Sequence, residues 1–382
     1  MRISKRSDVD PFIVMDVMEA ARLEEAKGRS IIHMEVGQPG TGAPQMARDF
    51  LTGQMAQDTL GYTVALGRPD LRARIAQLYL DWYGVTLSPD RIVVTAGSSA
   101  GFNLAFTSLF DQGEKVAIAE PGYPSYRNIL KALSLEPVGI QTMVEDRFQP
   151  TLQEIDKIDN LSGLLVASPA NPTGTMLDKD TLAGLIHGCA ERGISFISDE
   201  IYHGIDYEGR PVSALEISDD VYVINSFSKY FSMTGWRIGW MVVPESHVRQ
   251  VERLAQNMFI CAPHVSQVAA MAAMDAEDEL AANSKVYAEN RALMLEQLPK
   301  IGFDKIAPPD GAFYIYADVS DLTDDSMAFC RDILARAGVS VTPGLDFDPH
   351  RGHQTIRFSY ARSTDDIREG LARLAAYMAA RG

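Results

Sequence analysis

Five short apolar runs constrain the fold of this chain more than any other feature. They read RIVVTAG, KVAIAEPG, GLLVASPANP, GISFISDE and VYVINSFS, and most are separated from the next by a stretch with helical periodicity. Runs that are apolar at successive positions have both faces buried, which is typical of strands in a mainly parallel sheet covered by helices. We therefore predict an α/β domain, with one further strand in WRIGWMVVP that is a candidate for antiparallel pairing.

The two ends of the chain have a different pattern. Near the start, FIVMDVMEAARLEEAKGR has apolar residues at helical spacing and a stop signal at Gly28. From about Asp278 a helical stretch leads into GAFYIYADV, VSVTPG and TIRFSYA, expected strands flanked by helices from about Ser326 and Asp365. This predicts a smaller α+β domain that also recruits the N-terminal segment. The expected parts are 1–45 (N-terminal segment of the small domain), 46–280 (large domain) and 281–382 (small C-terminal domain).

Composition argues against several classes of function. The formal net charge of -16, from 51 acidic and 35 basic residues, opposes binding to nucleic acid, because a phosphate backbone requires clustered Lys and Arg. No apolar run is long enough to span a bilayer, and the start MRISKRSDVDPF lacks the apolar region of a signal peptide. Cys189, Cys261 and Cys330 have no metal-ligand spacing and fit a reducing compartment. We therefore expect a soluble, cytoplasmic protein without a metal, membrane or nucleic-acid partner.

Polar residues follow the predicted strands, and ligands of doubly wound sheets bind beyond the carboxyl ends of the strands. After VVTA, the turn GSSAG and the helix that follows offer backbone N–H groups to an anion. Asn171 follows the run LLVAS, and Asp199 and Tyr202 follow ISFIS. Each signal alone has a simpler explanation, namely a tight turn, a loop shaped by prolines or a helix cap.

Lys229 follows the run VYVIN, and Arg237 comes eight residues later. Desolvation and the like charge of Arg237 would disfavour the ammonium form of Lys229, which makes it a candidate amine nucleophile for a carbonyl. The simpler explanation is a solvated lysine at the end of a strand. Together, however, the four strand ends offer an anion cradle, an amide, a carboxylate and an amine, and this set fits pyridoxal phosphate.

At this point the chain resembles the class I/II aminotransferases, a family of fold-type I pyridoxal phosphate enzymes. NPTGT, SDEIY and SFSKYFSMTGWRIGW match the family's motifs in order and spacing, and GYTVALGRPDLR, PGYPSY, PDGAFYIYADV and TIRFSYA support the match nearly from end to end. The resemblance implies an aspartate aminotransferase-like fold with a mainly parallel, seven-stranded-type sheet between helices. It also implies a homodimer, with active sites at the subunit interface, that moves an amino group from an L-amino acid to a 2-oxo acid in two half-reactions.

The resemblance also implies roles for individual residues. Lys229 would form a Schiff base with the cofactor and later move the substrate's proton. Asp199 would pair with the pyridinium nitrogen, and Asn171 and Tyr202 would bind the phenolic oxygen. Tyr123 would stack on the ring face.

The remaining implied roles concern the phosphate and the substrate. The phosphate would be held by Ser98, Ser99, Ser226 and Arg237. It would also be bound by Tyr62 of the partner subunit. Arg357 would bind the substrate carboxylate bidentately, a geometry that lysine cannot reproduce. Asn171 would also contact the substrate. Gly37 would let the backbone approach the substrate.

The chain departs from the family pattern in three respects. GSSAG lacks the second glycine and the long polar residue often seen in that turn. Acidic residues follow Pro343 and Gly344, where many members have small ones. No position matches the arginine that reads a second carboxylate in dicarboxylate-specific members, which lowers the expectation of an aspartate-specific enzyme.

Three other functions compete with that of an aminotransferase. A pyridoxal phosphate-dependent carbon–sulfur lyase would use the same fold and the same lysine. A cofactor-sensing transcription regulator would carry a DNA-binding module ahead of the fold, and about thirty residues before IIHMEVGQPG are too few for one. A nicotinamide-dependent enzyme would need a Gly-rich fingerprint that GSSAG does not supply.

Overall fold

The computed structural model describes residues 1–381. Its helices are α1 (Ile13–Glu25), α2 (Gln45–Met55), α3 (Pro69–Tyr83), α4 (Ser98–Leu109), α5 (Pro124–Ala132), α6 (Leu152–Ile155), α7 (Lys179–Glu191), α8 (Val248–Met258), α9 (His264–Ala273), α10 (Glu277–Gln297), α11 (Ser326–Ala337) and α12 (Thr364–Ala379). Its strands are β1 (Ile32–His33), β2 (Ile92–Thr95), β3 (Lys115–Glu120), β4 (Glu136–Gln141), β5 (Leu161–Ala167), β6 (Ser195–Asp199), β7 (Tyr222–Ser226), β8 (Gly239–Val242), β9 (Lys305–Ile306), β10 (Tyr314–Asp318), β11 (Val339–Ser340), β12 (Thr342–Pro343) and β13 (Thr355–Ser359).

A seven-stranded sheet in the order β2-β8-β7-β6-β5-β3-β4 forms the centre of the larger part of the fold. Strands β3, β4, β5, β6 and β7 are parallel to one another. Strand β8 runs antiparallel to both of its neighbours, β7 and β2. Leu164 and Val166 of β5 enter the hydrophobic cluster on one face of the sheet, and Leu165 enters the cluster on the other. Both faces are therefore covered, as the unbroken apolar runs predict. The α/β class is confirmed.

Within this seven-stranded sheet the sequence pattern missed one strand, β4, which lies at its edge beside β3. Its sequence contains Pro137 and Gly139, two residue types that are depleted in strands. An edge strand has one unpaired side, so a proline there need not remove a ladder hydrogen bond. A Cβ at position 139 would lie 2.3 Å from the carboxyl carbon of Glu120, so a larger residue there would have to displace this buried carboxylate.

The smaller part of the fold has a four-stranded sheet, β12-β13-β10-β9, and a two-stranded parallel pair, β1-β11. The N-terminal segment joins it through Ile32 of β1, which pairs with Val339 of β11. The expected helix stop lies just beyond α1, at Gly28, whose φ is 87°. The exact domain bounds of 1–45, 46–280 and 281–382 stay a prediction. No helix among residues 1–381 combines the length and apolarity needed to cross a membrane.

Candidate active site

A cavity of about 200 Å³ lies beyond the carboxyl ends of β5, β6 and β7, beside the N-terminus of α4. The strand ends converge there because parallel strands present their carboxyl ends at one edge of the sheet. Ten of the residues that the sequence predicts for the site line this cavity. They are Gly37, Ser98, Ser99, Tyr123, Asn171, Asp199, Tyr202, Lys229, Arg237 and Arg357.

Two of the predicted residues do not line the cavity. Ser226 is 1% exposed, and its hydroxyl donates to the carbonyl of Ile238 at 3.0 Å, while Ser228 lines the cavity nearby. Tyr62 is 82% exposed on the surface of the subunit. Its expected role is in a partner's site, so that role stays a prediction.

The amine of Lys229 lies inside the cavity. Its Nζ donates to the backbone carbonyl of Gly37 at 2.5 Å and lies 5.6 Å from the ring centre of Tyr202. Burial, followed by the positive charge of Arg357, lowers the pKa of Lys229 from 10.5 to about 7, whereas Asp199 acts in the opposite direction. A large fraction of Lys229 is therefore neutral near pH 7, and the neutral amine is the nucleophilic form.

Asp199 ends β6 at the floor of the cavity and is 3% exposed. Its Oδ1 accepts a hydrogen bond from the backbone N–H of Ile201 at 3.1 Å, and the hydroxyl of Tyr126 donates to its Oδ2. Burial raises the pKa of Asp199 from 3.8 to about 6, and the hydrogen bonds and Lys229 oppose this shift. Asp199 is thus mainly ionised at neutral pH and suits a cationic partner.

The start of α4 and Arg237 form a cradle for an anion. Gly97 and Arg237 have left-handed φ values of 77° and 50°. A Cβ at position 97 would lie 2.6 Å from Nη2 of Arg237, so glycine allows the guanidinium to approach this turn. The other Nη of Arg237 donates to the carbonyl of Thr234 at 3.0 Å, which fixes the side chain beside Ser98 and Ser99. A helix N-terminus and a guanidinium together suit a phosphate.

Arg357 comes from β13 in the smaller part of the fold and is 3% exposed. Its Nη1 donates to Oδ1 of Asn171 at 2.8 Å, and its Nη2 donates to the carbonyl of Glu35 at 2.5 Å. Its Nε is buried without a hydrogen-bond partner. Leaving a buried donor unpaired costs about 1–3 kcal/mol, so the guanidinium still has unused hydrogen-bonding capacity while it lines the cavity.

Tyr314 and Tyr126 also line the cavity, and neither is among the site residues predicted from the sequence. The hydroxyls of Tyr314 and Tyr202 are 2.7 Å apart, and a Cβ at Gly37 would lie 2.0 Å from the hydroxyl oxygen of Tyr314. Gly37 is therefore required by its contact with a protein side chain, a reason that the sequence did not indicate. Tyr314 lies in the family motif PDGAFYIYADV and Tyr126 lies in PGYPSY. Their position inside these motifs is the sequence feature that could have identified them as site residues.

The sequence also gave no indication that the N-terminal segment reaches the cavity. Phe12, Val14, Met15 and Met18 contribute to its lining. The helical periodicity of this segment indicated that it packs on another element, but not which one.

The comparisons with known proteins agree with this arrangement. The family described as aminotransferase class I and II matches residues 29–374. A valine–pyruvate aminotransferase of Mycobacterium tuberculosis is 47% identical over 99% of this chain and 98% of its own length. The chain belongs to the class I and II aminotransferases.

Solved structures support the same family. A protein of Silicibacter pomeroyi assigned as an aminotransferase has 64% identity, a TM-score of 0.96 and coverage of 100% of both chains. The aspartate aminotransferase of Thermus thermophilus, crystallised with maleate, has 28% identity and a TM-score of 0.92 over 98% of this chain and 100% of its own. This aminotransferase therefore has the expected aspartate aminotransferase-like fold.

The cavity fits pyridoxal phosphate, the cofactor of this family. The cradle at Arg237 suits the phosphate, the ionised Asp199 suits a protonated ring nitrogen, and the partly neutral Lys229 suits an aldehyde. The guanidinium of Arg357, which lines the same cavity, suits a second anionic group, such as a substrate carboxylate. The donor set of this aminotransferase thus matches the chemical groups of the cofactor and of an amino acid.

Proposed function

We propose that this aminotransferase uses pyridoxal phosphate, held covalently by Lys229, to move an amino group from an L-amino acid to a 2-oxo acid in two half-reactions. The observation that carries the proposal is the meeting of Lys229, Asp199 and Arg357 in one cavity. The name of the mycobacterial relative makes valine and pyruvate the first pair to test. We further propose a cytoplasmic enzyme.

The charges of the cavity support binding of two anionic groups. Lys229, Arg237 and Arg357 line it, whereas Asp199 is its one acidic lining residue among those that the structure describes. The cradle at Arg237 and the fork of Arg357 come from different parts of the fold. A phosphate and a carboxylate would therefore have separate cationic donors in the same cavity.

Each of the central side chains has a defined task in the proposal. When bound, the cofactor supplies an electron-withdrawing ring that stabilises negative charge at the substrate's α-carbon. Asp199 holds a proton on the ring nitrogen, and Asn171 and Tyr202 bind its phenolic oxygen. Lys229, whose pKa is about 7, accepts and returns the proton of the α-carbon near neutral pH.

The test of the proposal is a half-reaction screen. The protein loaded with pyridoxal phosphate is mixed with each of the twenty amino acids without an acceptor, and release of the matching 2-oxo acid is measured. Borohydride reduction followed by peptide mass analysis should find the cofactor on Lys229. Lys229→Ala should abolish both results, and Lys300→Ala, which removes an exposed lysine, should change neither. No release of any 2-oxo acid from the full panel would overturn the proposal.

Adding cystathionine to this screen separates transamination from the lyase alternative. The relatives reported above are aminotransferases, which favours transamination. A carbon–sulfur lyase would release pyruvate and ammonia from cystathionine without an acceptor, and that result would decide for the lyase.

We also propose a homodimer in which Tyr62 binds the phosphate in the active site of the partner. The exposure of this large aromatic side chain, 82%, supports a contact outside its own subunit. Light scattering should give twice the chain mass, and Tyr62→Phe should weaken cofactor binding without changing that mass. A monomer with full activity would overturn the proposed dimer.

A further inference from the structure

Residues 12–18 form an apolar part of the cavity wall that the proposed chemistry does not use. Phe12, Val14, Met15 and Met18 line the same cavity as Lys229, and none of them carries a charge. The three cationic lining residues are already assigned to the phosphate, the aldehyde and the substrate carboxylate. The wall thus faces a ligand without offering it a charged partner.

A buried carboxylate from the smaller part of the fold anchors this segment. Oδ1 of Asp346 accepts the backbone N–H of Ile13 at 2.8 Å, and its Oδ2 accepts that of Val14 at 3.2 Å. Phe12 stands at the N-cap position of α1 and supplies no capping hydrogen bond. Asp346, which is 2% exposed, therefore satisfies helix donors that the segment's own sequence leaves unsatisfied.

The segment is also tied to α5 in the larger part of the fold. The carboxylate of Asp10 lies 2.8 Å from Nζ of Lys131, and the backbone carbonyl of Asp10 accepts a hydrogen bond from the amide of Asn128 at 3.2 Å. The ring of Phe12 packs edge-on against Tyr123, with 5.8 Å between the ring centres. The chain is thus attached to α5 at Asp10 and to Asp346 at Ile13 and Val14. These two attachments fix where the apolar side chains of residues 12–18 lie.

We propose that Asp346 is a positioning residue that holds residues 12–18 as an apolar wall for the substrate's side chain, and that this wall selects amino acids with uncharged, apolar side chains. The inference rests on the proposed aminotransferase function. A second carboxylate on the substrate would be desolvated against Val14, which is 5% exposed, and Met18 without a cationic partner, which is unfavourable. Valine or leucine would bury apolar surface at the same place.

The first part of the test changes the anchor. Asp346→Ala should raise KM for valine about tenfold or more with a smaller change in kcat, since two hydrogen bonds to a charged acceptor are lost. Asp346→Asn keeps one acceptor oxygen and should fall between this variant and the parent. The affinity for pyridoxal phosphate should stay within about twofold, because Asp346 holds the wall and not the cradle. Trypsin should cleave α1 at Arg22 several-fold faster in Asp346→Ala.

The second part changes the wall. Met18→Arg supplies a cation at the cavity, so kcat/KM for aspartate relative to valine should rise about tenfold or more. Leu23→Arg is the matched control, because Leu23 lies on the same helix, is 48% exposed and does not line the cavity. Leu23→Arg should leave kcat/KM for aspartate relative to valine unchanged.

The outcomes separate this inference from the proposed function. If the parent enzyme releases no 2-oxo acid from any amino acid, the proposed function fails and the inference falls with it. If the parent transaminates but accepts aspartate as well as valine, the inference alone is wrong. It is also wrong if Asp346→Ala lowers cofactor affinity as much as it raises KM, or if Leu23→Arg shifts the ratio as much as Met18→Arg.

Discussion

Replacing Arg357 should damage substrate binding far more than cofactor binding. The side chain is 3% exposed and is held at 2.8 Å by Asn171 and at 2.5 Å by the carbonyl of Glu35. These contacts fix the guanidinium while its Nε remains without a partner. Arg357 is therefore already oriented before a carboxylate binds. Its removal should weaken the binding of the substrate more than that of the cofactor.

The expected loss follows from the burial of this side chain. Truncating one partner of a buried, charged hydrogen-bonded pair costs about 2–5 kcal/mol. For Arg357→Ala this corresponds to a decrease in kcat/KM of about 30-fold to several thousand-fold. Arg357→Lys keeps the charge but cannot make two parallel N–H bonds to a carboxylate. Its loss should therefore lie at the low end of that range.

The assay combines steady-state kinetics with a titration of pyridoxal phosphate followed by absorbance. Arg91→Lys is a suitable control, because Arg91 is 9% exposed, donates to the carbonyl of Val243 at 2.9 Å and does not line the cavity. It reports the general cost of changing a buried arginine. Cofactor affinity should stay close to that of the parent in both variants of Arg357.

Two results would refute this reasoning. One is a change of less than about threefold in KM and kcat/KM together for Arg357→Ala, since the expected loss is at least tens of fold. The other is an equal loss in Arg91→Lys, which would mean that the effect comes from general destabilisation.

Three further predictions concern other cavity residues. The rate at which cofactor attaches to the cofactor-free protein should fall about tenfold per pH unit below pH 7 and level off above it, because Lys229 with a pKa of about 7 is protonated at low pH; a rate still rising steeply at pH 9 would contradict this. Asp199→Asn should slow the valine half-reaction about 30-fold or more in stopped-flow absorbance, because the ring nitrogen loses its anionic partner; an unchanged rate would exclude that partner. Gly37→Ala should lower the free energy of unfolding by about 1–3 kcal/mol in denaturant titrations, because its Cβ would overlap the hydroxyl of Tyr314, and adding Tyr314→Phe should recover part of this loss; no recovery would place the strain elsewhere.

The parts of the site that the sequence predicted are those that follow directly from strand order. Asn171, Asp199 and Lys229 each come a few residues after, or at the end of, a buried parallel strand, so the geometry of the sheet alone brings them to one edge. The family motifs then supplied Arg357, which no argument from the larger sheet could place.

The missed parts depend on contacts between residues that are far apart in the chain. Asp346 and Ile13 are 333 positions apart, and no local pattern indicates that one caps the other. The acidic residues after Gly344 did appear as a departure from the family pattern, but their partner could not be read from the sequence. The strand β4 was missed for a different reason, because Pro137 and Gly139 argue against a strand until the edge position of β4 is known.

The charge on Arg357 links substrate binding to the proton affinity of Lys229. Burial is the largest cause of the lowered pKa of Lys229, and the positive charge of Arg357 is the next. A carboxylate bound to Arg357 would neutralise much of that charge and thereby raise the pKa of Lys229. The amine would thus be most nucleophilic while the carboxylate site is empty, when it must attack an aldehyde. It would become a stronger base once a substrate is bound, when it must accept a proton from carbon.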